Sequence, residues 1–400
     1  MKKFPQKTKE RKSINAMNIT TNRTPLADET DDLIYAVCER FFELLTPDTK
    51  SGSRRKGAAT AIAEWLESSH GRPDLNREKI YPLVWEAFHR NFLLLSPPVE
   101  KQLPTKIIEK FALQKHLEIS HGEVTVVNVS GSTAPKNVSA KAADKIIDLI
   151  LRVYHDKRND AIQQGKDPDT VRVHIGFGAG YTAEEVARRL SNRTDVEIPR
   201  LTLHAVSPGG YFIAEQQKDT STYFSFFKDT QTDVQCVGFF STPISMTNPH
   251  DTLRDNPALR ECFEKRNEID IVVTSLAASK DPHGLVRQYF SYLKERNLIK
   301  EDVLQTLKDQ DWVGDILFQP YSATKAIFPQ TVRTVALFEF DELLEFSRQP
   351  NKYVVLIGGP CGKCHTPKVE ALRPLLEEPS LRAWTHLVLD RETATQLVNH

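Results

Sequence analysis

The segment GFGAGYTAEEVARRL, residues 176–190, brings glycines at alternate positions to the start of a predicted helix. Without side chains, Gly178 and Gly180 allow the backbone to approach a ligand closely. The first turn of the helix offers free N–H groups and a partial positive charge, and Tyr181 and Thr182 add hydroxyl groups. This pattern favours a phosphate-binding loop; the alternative is a tight turn that merely needs glycine. The spacing differs from the G-x-G-x-x-G pattern of dinucleotide-binding folds.

Small and polar residues also follow other predicted strands, in the loops NVSGSTAP, AVSPGG, TSLAAS and IGGPCGK. If these loops converge on one edge of a sheet, they form a cradle for a ligand with many hydroxyl groups. The residues that we expect to contact this ligand are Ser130, Ser132, Ser207, Gly209, Gly210, Ser275, Gly358 and Gly359. Any one of them alone is more typical of a turn.

The loop GGPCGKCHTPK places Cys361, Cys364 and His365 in the C-x-x-C-H spacing of haem c attachment. We reject a haem because the motif occurs once, without an export signal or a distal ligand. A structural zinc site would need two further ligands, and the sequence has no second C-x-x-C. Two hypotheses remain: a dithiol pair with a lowered thiol pKa, or cysteines that pack as small apolar side chains. We therefore expect no metal and no cofactor.

The composition excludes several classes of protein. Lysine plus arginine and aspartate plus glutamate each number 53, so no net charge draws the whole chain to nucleic acid or to a membrane surface. No apolar run reaches the ~18 residues of a membrane span, and the basic N-terminus lacks the apolar core of a secretory signal. The sequence has no G-x-S-x-G elbow, so we expect no nucleophilic triad and assign no catalytic residues. Five cysteines suit a reducing compartment, and we expect a cytoplasmic protein.

Short apolar runs alternate with helical stretches from residue 123 onwards. Most of the runs are apolar throughout and do not alternate between apolar and polar residues, as in parallel strands that are buried on both faces. Predicted strands occupy residues 124–129, 171–177, 201–206, 234–240, 269–276, 334–340, 353–359 and 386–390. Helical segments between them include AKAADKIIDLILRVYH, AEEVARRL, LRECFEKR and HGLVRQYFSYLKER. This alternation predicts a doubly wound, mainly parallel α/β domain over residues 120–400, with ligands beyond the carboxyl ends of the strands.

The N-terminal part of the chain has a different character. Residues 1–27 are polar and basic, which predicts a disordered tail, with a specific nucleic-acid arm as the alternative. Residues 28–115 carry apolar stripes at helical spacing. We expect four helices there, with a short strand in FLLLSPP before the last of them.

Four segments resemble the sugar-binding domains of SorC/DeoR-type bacterial transcriptional regulators. They are GFGAGYTAEEVARRL, DIVVTSLAASKDPHG, WVGDILFQPYSATK, and VVLIGG followed by KVEALRPLL and HLVLDRETATQLV. Together they span roughly residues 123–400, and the last two are the more specific. The resemblance implies an effector domain related in fold to phosphosugar isomerases, which binds a phosphorylated sugar without turning it over. It also implies a homo-oligomer.

The same resemblance carries roles to individual residues. Those that would cradle the phosphate are Gly178, Gly180 and Thr182. Asp390 would lie near the sugar, close to Thr393, and a lysine after the Gly-Gly pair would neutralise the phosphate. The loop that contains this lysine is longer than in the family and holds the two cysteines, so Lys363 and Lys368 both qualify. We favour Lys368, which fits the register of the following helix.

Residues 54–98 have the outline of the family's helix-turn-helix, with NREKIYPLVWEAFHRNF in the place of the recognition helix. Pro82 falls inside this helix, where it removes one hydrogen bond and kinks the chain. The charges that would face DNA are Arg77, Lys79 and Arg90. The alternative is that they are ordinary solvated residues of a helix surface.

The leading hypothesis is a sugar-responsive transcription regulator, with a degenerate winged-helix region at 28–115 and the sugar-binding domain at 120–400. A first alternative is an enzyme on the same scaffold that isomerises or hydrolyses a phosphosugar, with Asp315 or Asp390 as general base. A second alternative is a sugar-binding protein that has lost DNA recognition.

Overall fold

The chain divides into two compact units, Met1–Leu94 and Leu95–His400, which we call the helical unit and the sheet unit. The computed structural model describes residues 29–45, 57–89, 96–193, 196–209, 219–228, 230, 232–241, 244–245, 256–327 and 333–399. The division falls earlier than the expected boundary at residue 115, so residues 95–115 are part of the sheet unit. The basic tail predicted at 1–27 lies outside the described residues.

The helical unit consists, in its described residues, of α1 (Asp31–Leu45), α2 (Ala58–His70) and α3 (Arg77–His89). Each helix buries one apolar face in a common core, as the spacing of their apolar residues predicts. Gly71 ends α2 in the left-handed conformation, and its N–H donates to the carbonyl of Leu66. The side chain of Asn76 accepts hydrogen bonds from the N–H groups of Glu78 and Lys79 and so caps α3.

Pro82 lies inside α3, and the helix continues through it to His89. The proline ring is exposed to solvent, so the lost N–H costs one hydrogen bond without ending the helix. The strand expected in FLLLSPP falls largely on residues outside the described part of the chain, and residues 96–98 have no regular structure.

The sheet unit alternates strands and helices along the chain. Its strands are β1 (Val99–Glu100), β2 (Glu123–Val127), β3 (Val173–Phe177), β4 (Leu201–Ala205), β5 (Val234–Val237), β6 (Ile244–Ser245), β7 (Ile271–Ala278), β8 (Gly314–Ile316), β9 (Gln319–Tyr321), β10 (Arg333–Thr334), β11 (Tyr353–Ile357) and β12 (His386–Asp390). Its helices are α4 (Leu103–Lys110), α5 (Gln114–Ser120), α6 (Ala134–Gln163), α7 (Tyr181–Ser191), α8 (Thr220–Phe224), α9 (Pro257–Glu264), α10 (Leu285–Glu295), α11 (Val303–Asp309), α12 (Phe340–Phe346), α13 (Val369–Glu377) and α14 (Arg391–Asn399).

The sheet is mainly parallel, which confirms the predicted α/β fold. In the described part of the chain the strand order is β1-β2-β12-β11-β7-β3-β4-β5, and each neighbouring pair from β2 to β5 is parallel. β1 is antiparallel at one edge of the sheet. β8 and β9 form an antiparallel hairpin, in which β8 pairs with the C-terminal residues of β7. The chain runs from β3 outward to β4 and β5, then returns to β7 on the other side of β3. β3 and β7 therefore flank the topological switch point of the sheet.

Alternate residues of the inner strands enter two different apolar cores, one on each face of the sheet. In β11, Tyr353, Val355 and Ile357 pack in the core that contains α6 and α7, whereas Val354 and Leu356 pack in the opposite core. Since both faces are covered, every residue of the strand is apolar, and this explains the continuous runs in the sequence.

Two features of the sheet unit differ from the sequence prediction. The strand predicted at 334–340 is reduced to β10, because the apolar residues after it are buried without joining the sheet and α12 begins at Phe340. The carboxylate of Glu342 accepts the N–H of Glu339, which fixes the start of that helix. The β8–β9 hairpin was not predicted, since its strands are short and its turn carries no Asn-Gly signal.

Candidate functional site

A crevice lies at the switch point of the sheet, beyond the carboxyl ends of β3 and β7. It is lined by the loop into α7, the end of β7 and the loop after it, the β8–β9 hairpin, and the loop that precedes α13. The predicted site residues that line it are Gly180, Tyr181, Thr182, Ser207, Ser275, Asp315, Lys363 and Lys368. The switch point is the usual ligand site of doubly wound sheets.

The loop into α7 has the geometry that the glycine pattern predicts. Gly180 precedes the helix with φ +121°, a backbone conformation that residues with side chains rarely adopt. Tyr181 and Thr182 form the first turn of this 11-residue helix, where the backbone N–H groups have no partner within the helix. The positive end of the helix dipole is therefore at the crevice.

The β8–β9 hairpin closes the crevice with a turn in an unusual conformation. Leu317 and Phe318 occupy the turn with φ of 51° and 65°. A two-residue turn with positive φ at both positions normally takes Asn or Gly, and bulky residues there are strained. Leu317 also packs on Gly178, where an added Cβ would come within 2.6 Å of the leucine side chain. The close packing of Leu317 thus explains why a glycine is needed at position 178, beneath the crevice.

Two buried ionisable groups line the crevice. The ammonium of Lys368 donates to the carbonyl of Leu276 at 2.6 Å, and burial lowers its pKa. Burial raises the pKa of Asp315 to about 8, although the nearby lysine opposes the shift. Asp315 Oδ2 and Ser207 Oγ are buried and have no hydrogen-bond partner among the described residues. Buried polar atoms are rarely left unpaired, so these two are candidates to bind a ligand.

Cys361 also lines the crevice, beside Asp281, a residue that sequence reasoning did not select. Its Sγ lies 3.6 Å from Asp281 Oδ1. Burial raises the pKa of the Cys361 thiol to about 11. Burial acts in the same direction on Cys364, but hydrogen bonds with Thr366 outweigh it and lower the pKa of that thiol. The two cysteines therefore have different environments, one buried and one exposed.

The expected single cradle is not formed, because some strand ends lie away from the switch point. The predicted residues outside the crevice are Gly178, Ser130, Ser132, Gly209, Gly358, Gly359 and Asp390. Asp390 is buried and accepts the N–H of Thr393 at 3.1 Å, so it caps α14. Gly209 packs against the carboxylate of Asp219. Gly210 lies outside the described residues.

The Gly-Gly pair after β11 is explained by packing. A Cβ on Gly358 would come within 2.6 Å of Leu389, and one on Gly359 within 3.2 Å of Val138. The pair lets β12 and α6 approach the end of β11 closely. It positions the cysteine loop that follows, without contributing to the crevice itself.

The crevice has a volume of about 80 Å³. Ligand pockets for small molecules usually measure ~300–1,000 Å³. In this conformation the crevice therefore accommodates only part of a sugar phosphate.

The candidate DNA-facing residues lie in the helical unit. Arg77 and Lys79 are exposed in the first turn of α3, followed by the exposed aromatic residues Tyr81 and Trp85. Arg90 lies outside the described residues.

Comparison with known proteins gives a fold and no sequence relative. No family model matches the chain, and no curated protein matches it. The full-length sorbitol operon regulator SorC from Klebsiella pneumoniae matches 92% of this chain over 100% of its own, with a TM-score of 0.55 and 14% identity. The chain shares its fold. This confirms the resemblance to SorC/DeoR-type regulators at the level of the fold.

Two further solved structures each match 74% of this chain with a TM-score of 0.50. A probable sor operon regulator from Shigella flexneri is 14% identical over 98% of its length. A domain of a possible sugar-binding transcriptional regulator from Arthrobacter aurescens TC1 is 16% identical over 96% of its length.

No helix among the described residues has the length and apolar character needed to cross a membrane.

Proposed function

We propose that this chain is a sugar-responsive transcription regulator, in which the sheet unit binds a small phosphorylated carbohydrate and the helical unit binds DNA. One observation carries the proposal: the N-terminus of α7 and the buried ammonium of Lys368 line the same crevice. Helix N-termini attract anions, and a buried cation is costly without a counter-charge. The regulators that share the fold support the regulatory role.

The polar atoms around these two positive groups fit the hydroxyl groups of a carbohydrate. Ser207 Oγ and Asp315 Oδ2 are buried and unpaired among the described residues, and Ser275 also lines the crevice. A whole sugar phosphate needs more room than the crevice now has, so a wall must move when it binds. The turn at Leu317 and Phe318 is suited to this, because its strain can be released by the movement.

Ligand screening by thermal stability tests the first half of the proposal. The full chain is heated with a panel of phosphorylated sugars, each matched by its unphosphorylated counterpart. A ligand at 100 times its Kd adds about 2.7 kcal/mol to the free energy of unfolding. We expect stabilisation by a phosphorylated sugar and none by its counterpart. A panel without any stabilising member contradicts the proposed ligand class.

Gly180→Asp locates the site. The new carboxylate would stand where the anion binds, so the affinity for the phosphosugar should fall at least tenfold, or about 1.4 kcal/mol. The matched control is Gly165→Asp, since Gly165 also has a positive φ and its Cβ would meet no atom within 4 Å. Equal affinities in the two folded variants would remove the α7 loop from the site.

A second candidate function is an enzyme on the same scaffold, and the pKa of Asp315 near 8 favours it. A carboxyl group that titrates close to neutral pH can act as a general acid or base. The test is exchange of substrate carbon-bound protons with D₂O, followed by NMR, for each phosphosugar that binds. Exchange that is lost in Asp315→Asn would favour the enzyme; binding without exchange or turnover favours the regulator.

A further inference from the structure

We propose that Asp281, Cys361 and Cys364 form a Zn²⁺ site beside the crevice. One ligand atom from each residue lies within 4.8 Å of the other two. The sequence supplies only two ligands in one short loop, and the fold brings the third from a position 80 residues earlier. None of these three ligands is among the residues that we propose to bind the sugar phosphate.

The separation between Cys361 Sγ and Asp281 Oδ1 equals the separation that zinc requires between two of its ligands. Zn–S and Zn–O bonds of ~2.3 and ~2.1 Å at tetrahedral angles place a thiolate and a carboxylate oxygen about 3.6 Å apart. Cys361 Sγ and Asp281 Oδ1 lie 3.6 Å apart. Thiolate ligands select zinc over magnesium and calcium, and a carboxylate beside them favours Zn²⁺ over Cu⁺.

Both ligand loops are held by backbone hydrogen bonds. The N–H of Cys361 donates to the carbonyl of Thr366 at 3.0 Å, and the N–H of His365 donates to the carbonyl of Cys361 at 2.9 Å. The carboxylate of Asp281 accepts the N–H of His283 at 2.8 Å. Such outer contacts orient metal ligands before the ion arrives.

The surrounding charge suits a divalent cation. Two thiolates and one carboxylate around Zn²⁺ leave one net negative charge. The buried ammonium of Lys368 interacts electrostatically with all three ligands and compensates this charge. The thiol protons pass to solvent when the ion binds.

Three protein ligands leave the fourth tetrahedral position to water, as in catalytic rather than structural zinc sites. Cys361 and Asp281 both line the crevice, so the zinc site borders it.

The experiment uses the full chain, reduced and stripped of metal by a chelator. It is titrated with Zn²⁺ against a chromophoric competitor, and in parallel with Co²⁺. We expect one tightly bound equivalent, and for Co²⁺ a thiolate charge-transfer band with the visible bands of tetrahedral coordination. Absence of stoichiometric binding by the reduced chain overturns the proposal.

Substitutions identify the ligands. Cys364→Ser replaces an exposed side chain and should weaken zinc binding at least tenfold, whereas Cys236→Ser, at an exposed cysteine in β5, should leave it unchanged. Asp281→Asn keeps the shape of the side chain; it should weaken binding while the thiolate-to-cobalt band persists. Wild-type affinity in Asp281→Asn, or equal losses in the two cysteine variants, overturns the site.

Discussion

The hydroxyl of Tyr223 is bonded to both backbone polar groups of Gly180. It accepts the N–H of Gly180 at 2.9 Å and donates to the carbonyl of Gly180 at 2.8 Å. A residue 43 positions away thereby holds the loop into α7 in its unusual conformation. Since the N–H of Gly180 is used in this way, the phosphate recognition that we propose would fall to the next N–H groups, in the first turn of the helix.

Tyr223→Phe should loosen this loop. The substitution leaves the buried N–H of Gly180 without its acceptor, which costs about 1–3 kcal/mol. We expect the free energy of unfolding to fall by that amount in urea titrations, and affinity for the phosphosugar to fall with it. Tyr292→Phe, which removes a hydroxyl from α10, is the control and should change neither quantity. If the free energy of unfolding and the phosphosugar affinity of Tyr223→Phe equal those of the wild type, the loop itself maintains the conformation of Gly180.

Lys368→Met should decide between the two lysines of the cysteine loop. Lys368 is buried in the crevice, whereas Lys363 is exposed at its rim. Truncation of one partner of a buried charge pair costs about 2–5 kcal/mol. We expect a loss of this size in phosphosugar affinity for Lys368→Met and a much smaller loss for Lys363→Met, measured by calorimetry. The two variants should bind an unphosphorylated sugar with equal affinity. A larger loss of phosphosugar affinity in Lys363→Met than in Lys368→Met would assign the phosphate to Lys363.

Local patterns predicted those parts of the fold whose cause is local. β11 and β12 were found because both faces of each strand are buried, and α7 because its apolar residues repeat at helical spacing. The hairpin turn at Leu317 and Phe318 was not predicted from the sequence, because tertiary packing and not residue preference imposes its positive φ. The apolar run before Phe340 was taken for a strand because burial alone does not distinguish a strand from a buried irregular segment.

The sequence points to crevice residues within one loop, as for Gly180, Tyr181 and Thr182, and at separate strand ends, as for Ser207 and Ser275. It does not show which distant loops meet. Asp281 was missed for this reason, because its proximity to Cys361 depends on how β7 and β11 pair. Ser130 was included because the order of the strands was unknown, and Asp390 because the family resemblance placed it near the sugar. β2 and β12 lie on the far side of β11 from the switch point.

Buried histidines should make the protein less stable in mild acid. Burial lowers the pKa of His116, His174 and His386 to about 4 and of His204 to about 3, below the value of about 6.5 expected when unfolded. Between these limits the unfolded state binds more protons, so the free energy of unfolding falls as the pH drops from about 6.5 towards 4. Urea titrations across this pH range measure the slope.

His116→Gln isolates one of these contributions. The ring of His116 bonds to the carbonyl of Trp384 at 2.8 Å, and the glutamine amide can replace that donor without titrating. We expect the slope to decrease by up to about 1.4 kcal/mol per pH unit, the effect of one proton. His155→Gln, at an exposed position of α6, should leave the slope as it is. An unchanged slope in His116→Gln would show that this histidine is protonated equally in both states.

Changing Arg77 and Lys79 together to alanine tests whether α3 binds DNA. Because the chain has no net charge, affinity must rest on local contacts to phosphates. Each phosphate contact contributes about −0.9 to the slope of log K against log salt, so the double variant should bind more weakly and with a slope flatter by roughly two. The measurement is a fluorescence-anisotropy salt titration on DNA from upstream of the protein's own gene.

The control is Lys101→Ala with Lys106→Ala, which removes the same charge from exposed positions of the sheet unit and should leave the slope unchanged. Sugar binding should be the same in both double variants. If the wild type shows no binding above the non-specific level at low salt, with or without sugar phosphates, the regulator is excluded, and a sugar-binding protein without DNA or the enzyme remains.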